Sequence, residues 1–185
     1  MLNGQTFEEV VITSQVDGAA LTAAAAASMI PAASKFTLPP NWWALGRQMM
    51  VRASGKISSL ITTPGTARFD VRFGTDVVFD SLAILLDSVA AHTDVGWWLE
   101  IMLSCRTIGT TAALMGHGIF ICEDILGVPA TAPKGCLAAM LPWNDAPAVG
   151  ATFDSTVSNV VDVYFTQTAA TGSLTCQQYS LSLLN

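Results

Sequence analysis

The chain has 185 residues, enough for one domain with a substantial core but tight for two. Hydrophobic residues make up 51% and charged residues only 12%, against a usual charged share of about 25%, so a free-standing surface is short of charge. The net charge is −6 and the eight Lys and Arg do not cluster, which leaves no phosphate-reading stripe and argues against nucleic-acid binding.

A surface so poor in charge favours a chain that faces partner chains, the alternative being a Thr/Ser-rich β surface. The most apolar stretches are broken by Pro31, Asp94, Glu100 and Arg106, so no segment reads as a membrane span. The opening MLNGQTFEEV is acidic where a signal peptide is basic and then apolar, and reads as no secretion signal. Cys105, Cys122, Cys136 and Cys176 match no zinc or redox spacing, so the expectation is four reduced, mostly buried thiols.

In chain order, Val10-Val11-Ile12 reads as a short strand after a mobile start. Gly18 to Ser28, GAALTAAAAAS, has no polar face and no large anchor. It is expected as an arm or extended connection packed against some other surface, with a helix stopped by Pro31 as the alternative. Lys35 to Leu38 ends at Pro39-Pro40, so it is an edge strand or a turn entry. Asn41 to Gly46 suits a single helical turn capped by Asn41 and stopped by Gly46.

From Arg47 the period becomes two. Met49, Val51 and Ala53 alternate with Met50, Arg52 and Ser54, and the strand continues from Lys56 to Thr62 after a bulge at Gly55. Past the Pro64-Gly65 turn, Thr66 to Phe73 alternates strictly. Ala67, Phe69, Val71 and Phe73 share one face; Arg68, Asp70 and Arg72 share the other, expected to meet solvent.

Val77 to Phe79 and Leu82 to Leu86 follow as apolar runs. In Thr93 to Arg106, Trp97, Leu99, Ile101, Leu103 and Cys105 alternate with Trp98, Glu100, Met102, Ser104 and Arg106, so a strand is expected over a helix. Ala112 to Cys122, Leu137 to Leu141, Val157 to Thr166 and Leu174 to Leu184 complete the set, with a Gly/Pro-rich loop from Gly127 to Gly135. In the penultimate strand Val161, Val163 and Phe165 are expected inward and Asp162, Tyr164 and Thr166 outward.

Many short strands with turns at intervals of roughly ten residues indicate an all-β chain, an antiparallel sandwich or barrel. A jelly roll of about eight strands fits best, with residues 1–33 as an N-terminal strand and Ala-rich arm and residues 34–185 as the β-sandwich domain.

Catalytic signatures are missing from this pattern. His92 and His117 are the only histidines and have no metal-ligand spacing; Gly116-His117-Gly118 reads as a bulged strand with close backbone approach. Glu123-Asp124 reads as a solvated pair, and Asp76, Asp80 and Asp87 do not fit a calcium loop. The tryptophans are more informative. Adjacent strand residues face opposite ways, so one of Trp97 and Trp98 enters the core and the other looks outward. An outward Trp anchors an interface, stacks on a sugar or is shielded by its own loops. Trp42, Trp43, Trp98 and Trp143 are the candidate interface residues.

Four segments carry a resemblance: IPAASKFTLPP from Ile30 with the Trp42-Trp43 pair, VRASGKISSLITTPGTARFDVRFG from Val51, WWLEIMLSCRTIGTTAALMGHG from Trp97, and FDSTVSNVVD from Phe153 with the ending QYSLSLLN. Together they resemble small jelly-roll structural proteins of tailed-bacteriophage virions, of the capsid decoration or cement type. The resemblance implies a non-enzymatic minor capsid protein, assembled in the host bacterial cytoplasm. It would need no cofactor, form a homo-oligomer, expected to be a trimer, and bind the major capsid protein to bridge capsomers. The alternatives are a tail or fibre structural module, as a connector or a sugar-binding head, and a cupin-like enzyme, which two histidines serve poorly.

Overall fold

The computed structural model describes residues 8–60, 62–127 and 136–184. Twelve strands follow one another within them: β1 (Glu8–Thr13), β2 (Ala26–Ser28), β3 (Phe36–Leu38), β4 (Gln48–Ser59), β5 (Thr66–Phe73), β6 (Asp76–Asp80), β7 (Ile84–Leu85), β8 (His92–Thr107), β9 (Ala113–Leu126), β10 (Cys136–Leu141), β11 (Asn159–Gln167) and β12 (Ser173–Leu184). The one helical element among the described residues is a 3-10 turn at Ala32–Ser34. Most of the expected Gly/Pro-rich loop, the side chain of Cys136, Ile61 and the first seven residues lie outside the described residues.

Two antiparallel sheets form a sandwich. The wide sheet runs β1-β12-β4-β8-β9-β10; the narrow sheet runs β2-β11-β5-β6, with β3 also on the β11 edge and β7 also on the β5 edge. The pairing nests from the outside in: β1 with β12, β2 and β3 with β11, β4 with β8, β5 with β6 and β7. That nesting is the jelly roll. Two of its strand positions are split in two, and the β9–β10 hairpin extends the wide sheet beyond β8.

The core lies between the sheets and is built by strand alternation. Ala67, Phe69, Val71 and Phe73 of β5 point inward and are buried, as do Trp97, Leu99, Ile101, Leu103 and Cys105 of β8. Phe69 and Phe165 from the narrow sheet meet Trp97 and Phe120 from the wide one, with ring centroids 4.8 Å apart for Phe69–Phe120 and 5.4 Å for Phe69–Phe165. At one end a second aromatic group joins Trp43, Phe73 and Phe153, with Phe73–Phe153 at 4.8 Å.

The Ala-rich segment is extended. Past the end of β1, the open edge of β12 is taken up by Ser14, Gly18 and Leu21: Gly18 N–H donates to the Cys176 carbonyl at 2.7 Å, and Leu21 and Leu174 exchange both backbone bonds. The chain then crosses to the narrow sheet, where Ala26–Ser28 pairs with Thr166–Tyr164. Two sheet edges offer this stretch backbone partners that a free helix without anchoring side chains could not outweigh. Residues 8–33 therefore contribute strands to both sheets.

Three local expectations are corrected. Asn41 to Gly46 is not helical. Trp42 N–H donates to the Pro39 carbonyl at 3.3 Å with Asn41 at φ 57°, and Arg47 N–H donates to Ala44 at 3.0 Å with Gly46 at φ 81°. Pro at the second position and a left-handed residue at the third make the first a type II turn. The bulge belongs to β12, where Gln177 is the extra residue opposite Gly55; a Cβ on Gly55 would stand 2.0 Å from the Thr175 carbonyl oxygen. His117 sits in a regular stretch of ladder, its flanking glycines lying against Phe79 and the Glu100 carbonyl.

The outward face of the narrow sheet also departs from expectation. Asp70 is only 2% exposed and Asp162 only 6%. Arg68 and Arg72 flank Asp70 on its own strand, Arg72 at 2.6 Å and Arg68 at 3.3 Å, and Arg68 also grips Asp80. Arg72 covers the Tyr164 ring at 4.1 Å. Asp162 lies where the Ala32–Ser34 turn interrupts pairing along β11; it accepts from Ser28 at 2.7 Å and from the Val163 N–H at 2.8 Å, and pairs with Lys35 at 2.6 Å. Charges that strand parity assigns to solvent are neutralised and covered by their neighbours.

Candidate functional site

The outward face of the wide sheet gathers the residues with chemistry to offer. Antiparallel register stacks them in rows: Gln178-Ser54-Trp98-Ile121-Ala138, then Ser180-Arg52-Glu100-Ile119-Met140, then Ser182-Met50-Met102-His117. The middle row is pinned by Arg52, whose Nε donates to Glu100 at 2.9 Å and whose Nη1 donates to Glu8 at 2.9 Å. Hydrogen bonds from Ser182 and Arg52 hold the Glu8 carboxyl below its ordinary pKa. This charged row divides the β4–β8 part of the face into two grooves.

One groove is apolar. Met50, Met102, Ile119 and Met140 line about 280 Å³ together with Glu100 and His117, and Met140 is 66% exposed. The other, of about 270 Å³, has Trp98 as its aromatic wall and Thr13, Arg52, Ser54, Gln178 and Ser180 as polar lining. Trp98 is 40% exposed, whereas Trp97, one residue earlier, is buried against Phe69 and Phe120.

The other tryptophans are placed differently. Trp43 is 4% exposed and packs against Phe73 and Phe153, so it serves the core and has almost no surface to offer a partner. Trp42 is half-buried edge-on to Trp43, with the Arg47 guanidinium 4.8 Å from its ring centre. Trp143 is half-buried, its backbone N–H donating to the Ser81 carbonyl at 2.7 Å. The structure does not gather these three around Trp98.

The polar lining of both grooves escaped the sequence reading because it depends on which strands are neighbours. Ser54 and Gln178 are 124 residues apart and face each other at 3.4 Å. One signal was available: Met50 and Met102, like Trp98, are apolar residues interleaved with Arg52, Ser54, Glu100 and Ser104 on their strand faces.

Among the described residues no group of three or more His, Cys, Asp or Glu could hold a metal ion. His92 Nε2 lies 3.1 Å from Asp87, whose carboxylate also accepts from the Val89 and Ala90 N–H groups. Burial opposes ionisation of Asp87, but these partners together keep its pKa below the ordinary value. The contacts knot a loop shut.

Cys105, Cys122 and Cys176 are free and buried. Burial pushes the Cys122 and Cys176 thiols up to about 12 and raises Cys105 too. Since the thiolate is the nucleophile, all three should resist iodoacetamide in the native protein at pH 8 and react fully in denaturant. Peptide mapping by mass spectrometry reads this directly; native alkylation at the rate of a free cysteine would contradict it.

No family model, curated protein or solved structure matches the chain.

Proposed function

We propose that the chain is a non-enzymatic structural subunit of a tailed-phage virion, a decoration or cement protein of the head. It associates with itself, as a trimer, and binds the major capsid protein so as to bridge capsomers. The observation that carries the reading is the apolar groove of Met50, Met102, Ile119 and Met140 on the open face of the wide sheet. Methionine repacks readily against a partner surface, and a sheet face built for water would carry Thr, Lys and Glu at these positions. The 12% charged share and the four phage-like segments support the same reading; the head placement and the trimer rest on that resemblance. Contacts repeated by symmetry give avidity, and binding to assembled shell alone stabilises the shell by mass action.

Imaging and mass spectrometry of purified particles test the placement. The protein is expected on heads; its absence from particles, or its presence on tails alone, rejects the cement role. Met140→Glu tests the surface. Met140 is exposed, so the fold should persist, while a buried charge at the interface should convert oligomer to monomer in light scattering and abolish head attachment. An unchanged oligomer that still binds heads would show that this groove is not the contact.

A further inference from the structure

We infer that the Trp98 groove binds a neutral carbohydrate, at a site separate from the Met140 groove. Its lining has the composition that sugar recognition requires. Ala53 and Tyr179, which also border it, face the core. The side chains left to the groove are one indole, the hydroxyls of Thr13, Ser14, Ser54 and Ser180, the Gln178 amide and the Arg52 guanidinium. A pyranose presents an apolar C–H face to an aromatic ring and a rim of hydroxyls to donors and acceptors, which is what this set supplies.

The site is preorganised. Arg52 is fixed by Glu100 and Glu8, and Ser14 is fixed by the Tyr179 N–H at 2.9 Å. Trp98 stands on a strand held on both sides, by β4 and β9. A rigid platform of this kind loses little conformational freedom on binding.

The groove does not end at Trp98. Ser54 and Gln178 also line a second, polar trough of about 630 Å³ that runs past Gly55 and Gly96 to Asp17, Gln177 and Glu123. Gln177 is there because β12 bulges, and Gly96 leaves the trough open: a Cβ at Gly96 would meet nothing within 4 Å. The shared lining gives a continuous path for more than one sugar ring. Its carboxylates, together with a net charge of −6, disfavour acidic polymers and nucleic acid. The ligand class is therefore a neutral hexose or N-acetylhexosamine oligosaccharide.

The test uses the full chain, with manno-, malto-, cello- and chito-oligosaccharides as probes and oligogalacturonate as the acidic control. Binding is read by titration calorimetry and by tryptophan fluorescence. At least one neutral probe should bind, and the acidic control should not. Trp98→Ala should weaken that binding at least tenfold. Gly96→Val, a β-branched residue on a strand with open space above it, should fill the trough and weaken the longer oligosaccharides more than the shorter. Both variants should keep the parental circular dichroism, and Met140→Glu should leave sugar binding intact. Failure of every neutral probe, preference for the acidic one, or binding that survives Trp98→Ala and Gly96→Val would overturn the inference. None of these outcomes bears on whether the protein is found on heads.

Discussion

Replacing Phe69 with alanine should destabilise the protein by about 3–5 kcal/mol, the range for removing a buried aromatic from a core. Phe69 is fully buried and sits where the sheets meet: its ring touches Phe165 on its own sheet and Phe120 and Trp97 on the other. Truncation loses the transfer energy of the ring and also leaves a void among three large side chains that are themselves held by strand pairing. Rigid walls relax poorly, so the cost should fall in the upper part of the range. Phe69→Leu keeps much of the volume and should cost less than half as much. Urea unfolding followed by tryptophan fluorescence measures both. A loss below about 1 kcal/mol for Phe69→Ala would mean that the cluster closes up and is not the joint between the sheets.

Asp162→Ala should be the most damaging change at a charged position. The carboxylate joins three parts of the chain: Ser28 on β2, Lys35 just before β3 and the Val163 backbone on β11. Removing one partner of a buried ion pair typically costs about 3–5 kcal/mol, because the other charge is left stranded. Lys35 keeps 28% of its side-chain surface exposed, so water can take part of its charge back, and about 2–3 kcal/mol is expected. Asp162→Asn retains an acceptor for Ser28 and for the Val163 N–H and should cost about half as much. Hydrogen exchange adds a second reading: amides of β2 and β3 should lose protection before those of the wide sheet. Uniform loss of protection would show that the narrow-sheet edge is not held locally by this carboxylate.

Strand identity was legible wherever a period of two ran unbroken. The period of two marks Thr66–Phe73 with its ends intact and separates the two faces of β8 residue by residue, while leaving open which of Trp97 and Trp98 enters the core; the structure buries Trp97, Leu99, Ile101, Leu103 and Cys105. Periodicity describes one strand at a time, and what it missed was set between strands. It assigned Asp70 and Asp162 to solvent because it could not see Arg68 and Arg72 closing over the first or Lys35 reaching the second. It offered Trp42 and Trp43 as a pair, yet a turn at Asn41 sends one into the core and leaves the other at its rim. The Trp98 groove needed register as well. Arg52 and Glu100 meet because β4 and β8 pair at one offset; a slip by one residue would turn Trp98 inward.

The order in which the strands are joined constrains how the molecule can be made. β12 lies between β1 and β4, and β11 lies between β2 or β3 and β5. β11 and β12, made after the ten other strands, are thus the ones that fill interior positions in each sheet. Until they arrive, β1, β2, β3, β4 and β5 each lack a neighbour, and one of the four rings of the aromatic joint is missing, since Phe165 comes from β11. Folding of the sandwich must wait for β11 and β12, and pairing between strands so far apart in sequence makes it slow. Nascent copies on one message carry the same vacant slots, each shaped to accept a β11 or β12 from another copy. Newly made chains would therefore benefit from being kept apart, and crowded translation of this message should favour strand-exchanged aggregates.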